Sequence, residues 1–310
     1  MGELELIEYI RSLASRERPT WLEVGIGDDA AVIRLPGGDR VVVTTDMLIE
    51  GTHFERGTAP EAVGYKAVAR ALSDLAAMAS SPLCTVAAVS FGASYSPDWA
   101  RRLSKALLES AEKLGAPLVG GDTSSGTAVL SLTLTALGLP GPKGVVRRAG
   151  ARPGDAVCVT GRLGGSLMGR HLTFKPRTQE ALELAGRFDV HAMIDISDGL
   201  STDALHIAQE SGVGLTLRAE AIPISEDACV MAGRRGPEDS PIRHALNDGE
   251  DYELLFCLSQ ADAVAAAQSG LAGAPVSIIG IVTAEKQSFI LCPDGSREPL
   301  RGGGWEHLKR

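Results

Sequence analysis

No uninterrupted apolar stretch in this chain approaches the roughly 18 residues of a membrane-spanning helix, so no membrane span is expected. Blocks of Lys or Arg are also missing. Against 39 acidic residues stand 30 basic ones, a formal charge of −9. A sequence-neutral grip on a nucleic acid backbone needs clustered cations and is therefore not expected. Cysteine is scarce and scattered: Cys84, Cys158, Cys229, Cys257 and Cys292 are odd in number and never form C-x-x-C. That spacing suits neither a disulfide framework nor a zinc site. Four of the five sit in apolar stretches and read as small buried thiols in a reducing compartment. Aromatics make up only 4% of a chain that is 44% hydrophobic, so its cores must be built from Ala, Val, Leu and Ile. The opening Met-Gly-Glu-Leu-Glu-Leu-Ile-Glu is acidic, without the basic-then-apolar order of a signal peptide, and the cytoplasm is the expected location.

Two more absences narrow the chemistry. There is no G-x-x-x-x-G-K-[ST] loop, and no G-x-G-x-x-G ahead of a strand lysine. A nucleotide would have to be held by glycine amides and by metal ions on carboxylates. The negative net charge makes the same demand, since cations must bridge carboxylate to phosphate.

What the chain does have is a series of carboxylates beside Gly, Ser or Thr. They stand in Gly-Ile-Gly-Asp-Asp (25–29), Thr-Thr-Asp (44–46), Ser-Asp-Leu (73–75), Gly-Gly-Asp-Thr (120–123), Asp-Ile-Ser-Asp-Gly (195–199) and Gly-Glu-Asp (249–251). Repeated Asp at the ends of apolar strands, next to residues that let backbone approach a ligand, suits hard metal ions holding phosphate oxygens.

With 310 residues the chain is long enough for two domains. An amphipathic helix is expected over 3–14. Ala30–Ile33 and Arg40–Thr45 read as strands joined at Pro36-Gly37-Gly38. Helices follow over 61–79 and 97–114, the second closing at Gly115, with strands at Thr85–Gly92 and Val129–Leu139. Pro140-Gly141-Pro142-Lys143-Gly144 is the expected hinge. Beyond it, strands are expected at Ala156–Thr160, Ala192–Ile196, Val213–Leu217, Tyr252–Leu258 and Ser277–Val282. Helices are expected over 202–211, ending at Gly212, and over 260–268. Hairpin signals among the helices point to an α+β fold rather than a doubly wound parallel sheet.

Asp74 carries the sharpest signal. Val63, Ala67, Val68, Ala71, Leu72, Leu75 and Met78 form one apolar stripe of the 61–79 helix, and Asp74 falls inside it. A carboxylate there needs a metal or a partner, the alternative being an i, i+4 pair with Arg70. Asp46 ends an apolar strand, with Thr44 and Thr45 offering further oxygens, or else it makes an Asx-turn, as Asp28 and Asp29 also could. Asp195 and Ser197 share a strand face and Asp198 opens a turn. That suits a magnesium–phosphate contact or, for Asp198, a helix cap. Gly120-Gly121-Asp122 reads as phosphate-facing amides with a metal ligand, or as a plain strand-end turn. His53 is a phosphate contact or a structural residue. Trp305, after three glycines, would stack on a flat heterocycle or cover core.

At these same residues the chain resembles the thiamine-monophosphate kinases, of the superfamily that includes aminoimidazole ribonucleotide synthetase and selenophosphate synthetase. The likeness runs from about residue 3 to 308. It rests on Gly-Ile-Gly-Asp-Asp-Ala-Ala, Thr-Thr-Asp-Met-Leu-Ile-Glu-Gly-Thr-His-Phe, Ala-Leu-Ser-Asp-Leu-Ala-Ala-Met, Gly-Gly-Asp-Thr, Arg-Arg-Ala-Gly-Ala-Arg-Pro-Gly-Asp, Ile-Asp-Ile-Ser-Asp-Gly-Leu and Gly-Glu-Asp-Tyr-Glu-Leu, in order. The resemblance implies ATP-dependent phosphorylation of thiamine monophosphate to thiamine diphosphate by direct in-line transfer assisted by several Mg²⁺ ions. It implies Asp29, Thr44, Thr45, Asp46, Asp74, Asp122, Asp195 and Asp198 as magnesium ligands. Gly121, Asp122, Arg148 and Ser197 would contact ATP, and His53, Glu250 and Trp305 thiamine monophosphate. It also implies an ATP- and magnesium-binding domain over 1–140, whose sheet pairs across a homodimer, and an α+β domain over 145–310. The chain departs from the family pattern at Asn247-Asp248, where Ser-Gly is common, and at His171-Leu-Thr-Phe-Lys-Pro176-Arg177. Other superfamily members or a metal-dependent phosphatase are the competing readings. The reactive cysteine of selenophosphate synthetases has no counterpart before Cys84.

Overall fold

The β2–β3 hairpin (Ala31–Arg34 and Arg40–Ile49) sets the register of the first of two sheets. Gly38 turns it at φ +94°, a left-handed value glycine adopts freely, and Arg34 then faces Arg40. The computed structural model describes residues 2–14, 19–234, 236 and 239–305. With β1 (Leu22–Val24), β4 (Ser80–Gly92), β5 (Leu118–Gly126) and β6 (Ser131–Pro140), the hairpin builds a sheet of order β1-β2-β3-β6-β4-β5. Only β4 and β5 run parallel. Two helices, α2 (Pro60–Ala77) and α3 (Pro97–Lys113), cover its inner face, where Val42, Leu132, Leu134 and Leu72 share one core.

The second sheet is made of β7 (Ala156–Thr160), β8 (Ala192–Asp195), β9 (Gly214–Arg218), β10 (Leu254–Leu258), β11 (Val276–Thr283), β12 (Phe289–Leu291) and β13 (Arg297–Pro299). Its order is β13-β12-β9-β11-β7-β10-β8. β7 and β10 are buried throughout because both faces are covered. The core on one side holds α5 (Leu200–Ser211); that on the other holds α4 (Thr178–Arg187) and α8 (Gln260–Ser269). The short helices α6 (Glu226–Met231) and α7 (Pro241–Asn247) complete this half, and α1 (Glu3–Ala14) ties to α5 through Arg11 and Glu210, 2.6 Å apart. The α+β expectation holds.

Several local expectations change. β4 begins at Ser80 rather than Thr85, because Ala79 turns the end of α2 straight into the strand at φ +50° and Pro82 is accommodated at a register shift. β3 continues past Asp46 to Ile49, so Asp46 lies within a strand and not at its end. Gly120-Gly121-Asp122 is likewise no turn: it lies inside β5. A Cβ on Gly121 would meet the Ala87 carbonyl oxygen at 2.1 Å, so the close strand approach requires glycine. In the 140–144 segment Gly141 donates to Ala79 O at 3.1 Å, and just beyond it Val146 donates to Met78 O at 3.2 Å. Only Cys158 and Cys257 are buried. Cys84 and Cys292 are intermediate and Cys229 is exposed.

Candidate active site

Helix α2 runs between the two sheets, packing on β3 and β6 of the first and on β8 of the second. Along it Lys66, Arg70 and Asp74 recur every four residues, on one ridge, with Ser73 beside them. Each meets the site. Thr44, on the inner face of β3, donates its hydroxyl to Asp74 Oδ2 at 2.6 Å. Asp46, on that same face, pairs with Arg70, Nε lying 2.8 Å from Oδ2 and Nη2 3.0 Å from Oδ1. From the second sheet, the end of β8 brings Asp195, whose Oδ2 accepts the Ser73 hydroxyl at 2.6 Å. Asp29 completes the group: Oδ1 takes Arg148 Nη2 at 2.6 Å, whereas Oδ2 is buried with no hydrogen-bond partner among the described residues.

Four carboxylates so close together resist ionising. Burial, first of all, lifts Asp29, Asp46, Asp74 and Asp195 above the usual carboxylate range. Repulsion adds to it: Asp195 and Asp46 push Asp74 up, and Asp29 pushes Asp195, which reaches about 7. Arg70 and Arg148 answer two of the charges, but Asp74 and Asp195 have only hydroxyls. The orphaned Asp29 oxygen and the all-oxygen donor set fit hard divalent cations of the magnesium class, and offer nothing to a soft metal.

Next to this cluster two turns interlock. Gly199 (φ +115°) and Gly249 (φ +71°) let the 195–199 and 247–252 segments touch, a Cβ on Gly249 lying 2.7 Å from Ser197 O. Glu250 N donates to that same oxygen at 2.7 Å. Glu250 and Tyr252 hold φ +55° and +50°, left-handed values that cost non-glycine residues roughly 1–3 kcal/mol and gather at functional sites. The Glu250 carboxylate pairs with Lys66, which is 0% exposed and also donates to His53 O at 2.6 Å. The His53 ring faces backbone, Nδ1 accepting from Ile49 N at 2.9 Å.

On the other side of Ser197 and Asp198 opens a cavity of about 940 Å³, lined by Arg148, Asp203, His206 and Trp305 among others. Its wall is α5 on one flank and α1 on another. Trp305 N donates to Asp198 O at 3.1 Å, and the residue is 53% exposed. This approach depends on Gly304, where a Cβ would stand 1.9 Å from Asp198 O. Asp203 caps the start of α5, accepting from the Asp198 and Gly199 amides at 3.2 and 3.1 Å. Its oxygen, one of Asp198 and a nitrogen of His206 lie within 4.8 Å of one another.

Residues 27–139 match the AIR synthase related protein N-terminal domain and residues 152–292 its C-terminal domain. The thiamine-monophosphate kinase of Rhodopirellula baltica is 38% identical over 288 residues, covering 90% of this chain and 89% of that protein. The chain belongs to the thiamine-monophosphate kinase family. It is an enzyme, a kinase of that family. The solved structure of AaThiL complexed with AMPPCP and TMP superposes with a TM-score of 0.84 at 29% identity, over 99% of this chain and 97% of the other. Thiamine monophosphate kinase from Aquifex aeolicus gives 0.77, also at 29% identity, over 95% and 98%.

The structure gathers Asp29, Thr44, Asp46, Asp74 and Asp195 into one cluster. Ser197, Asp198 and Glu250 adjoin it on the two turns, with Arg148 bridging cluster and cavity. Thr45 points to the opposite face of the sheet, its hydroxyl 3.1 Å from that of Thr135. Asp122, with Gly121, stands on the exposed edge strand β5, and β6 and β4 separate it from β3. Asp74 does not pair with Arg70 as the helix spacing allowed, since Arg70 turns to Asp46 instead. Lys66 escaped notice in the sequence. Its signal was the four-residue spacing to Arg70 and Asp74, which places three charges on one ridge of a helix with buried neighbours.

Proposed function

We propose that the chain transfers the terminal phosphoryl group of ATP directly to the phosphate of thiamine monophosphate, giving thiamine diphosphate. One observation supports this above the rest: a cation-poor carboxylate cluster, drawn from both halves, beside a cavity that shares Arg148 and the 197–198 turn with it. Asp29, Thr44, Asp46, Asp74, Asp195 and Asp198 would hold Mg²⁺, with Thr45 and Asp122 assigned by motif resemblance alone. Bound there, magnesium supplies neutralisation of charge on the phosphates.

The chain's own groups do the rest. Arg148 and Ser197, which line the cavity, are assigned to ATP, Arg148 contributing a fixed charge and Ser197 a hydroxyl, with Gly121 and Asp122 assigned by motif resemblance. His53, Glu250 and Trp305 are assigned to thiamine monophosphate. Trp305 offers an exposed indole for stacking on a ring or its cation. Glu250, held by Lys66 and by its own strained backbone, would accept from the aminopyrimidine or face the thiazolium. The acceptor phosphate is largely ionised at neutral pH, so no strong general base is required, and catalysis reduces to positioning and charge neutralisation.

Residues 1–140 would form the ATP- and magnesium-binding domain, with 145–310 as its α+β companion. The homodimer is proposed across the outer face of the first sheet, where Met47 and Val86 are exposed and, among the described residues, no strand pairs with the outer side of β5. No helix among the described residues is long and apolar enough to cross a membrane, and the cytoplasm is the proposed location.

Product analysis tests the reaction. Purified protein with ATP, Mg²⁺ and thiamine monophosphate should yield ADP and thiamine diphosphate in equal amounts, and neither without Mg²⁺. Free phosphate released without nucleotide would replace the kinase reading with a phosphatase.

A further inference from the structure

Lys66 and Arg70 are one helical turn apart and each neutralises one carboxylate of the site, yet their settings differ. Lys66 is sealed between Glu250 and His53 O. The Arg70 side chain is 14% exposed, and its Asp46 partner 23%. Asp46 is also the carboxylate that the cluster shares with hard cations. A divalent ion on Asp46 and a guanidinium 2.8 Å away compete for the same two oxygens, and the two cations repel strongly where water is scarce.

The guanidinium keeps its charge at any working pH and cannot be left buried without an anion. Asp46 is its one ion pair among the described residues. Asp74 and Glu250 attract it from farther off, but Asp74 takes the Thr44 hydroxyl and Glu250 pairs with Lys66, and Met47 O lies 3.5 Å from Nη1, at the limit of a hydrogen bond. The Tyr252 hydroxyl is itself turned towards Glu250, at 3.3 Å. An anion arriving from outside is the missing partner.

We propose that Arg70 is an exchangeable counter-ion, held by Asp46 in the metal-free protein and passed to a phosphate oxyanion when a divalent cation takes Asp46. Cation binding and phosphate-ester binding are thereby linked through one side chain, while Lys66 on the same ridge stays where it is. This deepens the kinase reading and rests on it for the identity of the phosphate ester.

The test is calorimetric titration of the full-length protein with Mg²⁺, at about pH 8, with and without inorganic phosphate. In the wild type, phosphate should tighten Mg²⁺ binding roughly fivefold or more. Arg70→Gln should bind Mg²⁺ alone more tightly than wild type, having no cation to displace, and lose most of the gain from phosphate. Arg70→Lys, which keeps a charge for Asp46, carries the test if Arg70→Gln does not fold, with the same changes at smaller size. Weaker Mg²⁺ binding by the variant, or a phosphate effect absent in the wild type or unchanged in the variant, overturns the proposal. Product analysis alongside separates the two ideas. Linkage without thiamine diphosphate would sink the kinase assignment alone, and turnover without linkage would sink Arg70's role alone.

Discussion

At the scale of single residues, the cluster stores repulsion that a proton or a metal cation would relieve. Asp195→Asn removes a charge while keeping shape, so metal-free stability should hold or rise, whereas Asp46→Asn also takes the anion from Arg70 and should lower it; in both, turnover should fall at least about a hundredfold. Steady-state rates alongside thermal melts check this, and near-wild-type turnover in both variants would refute the ligand assignment. Much at this scale was legible. Asp74 reads as misplaced on an apolar stripe because that stripe is local, and every other member of it is buried. Lys66 was not legible. What buries it is Glu250, 184 positions away, and a lysine on a helix ordinarily reads as a solvated face.

At the scale of elements, helices were easier to read than the strands that bear the ligands. The 97–114 helix announces itself through Ser96, which caps Trp99 N at 3.1 Å, through Pro97, and through Gly115 at φ +78°. β5 gives no such notice. Its glycines and serines carry turn propensities, and only pairing with β4 makes them a strand. The C-terminal segment offers a direct test of backbone approach. A methyl on Gly304 would stand 1.9 Å from Asp198 O, whereas one on Gly302 meets its nearest neighbour at an ordinary 3.5 Å. Gly304→Ala should therefore raise the KM for thiamine monophosphate roughly tenfold or more by displacing Trp305, with Gly302→Ala near wild type. Equal kinetics in the two variants would remove Trp305 from the substrate site.

Across the whole molecule, the raised carboxylates make stability depend on pH in an unusual direction. Asp195 titrates at about 7 in the folded protein, far above an unfolded aspartate near 3.8. Between those values the folded state binds more protons than the unfolded chain, so metal-free stability is fullest below the lower value and is lost as pH rises through the upper one. Melting temperatures in EDTA should fall from about pH 5 to pH 8, and saturating Mg²⁺ should flatten that decline. Parallel profiles with and without Mg²⁺ would show that the cluster does not bind the ion. The α+β class was legible at this scale, from hairpin signals mixed with helices. How the halves join was not, because the Pro- and Gly-rich 140–144 stretch carries no sign in sequence that Gly141 and Val146 bond back to Ala79 and Met78. That join has a consequence for the gene. Because α2 belongs to the core of the first sheet yet presents Ser73 to Asp195 and Lys66 to Glu250, neither half carries a finished site. Fragments expressed from a cut between residues 141 and 155 would each leave buried charges stranded. Duplication, shuffling or fusion of this coding sequence can succeed only when it moves as one piece.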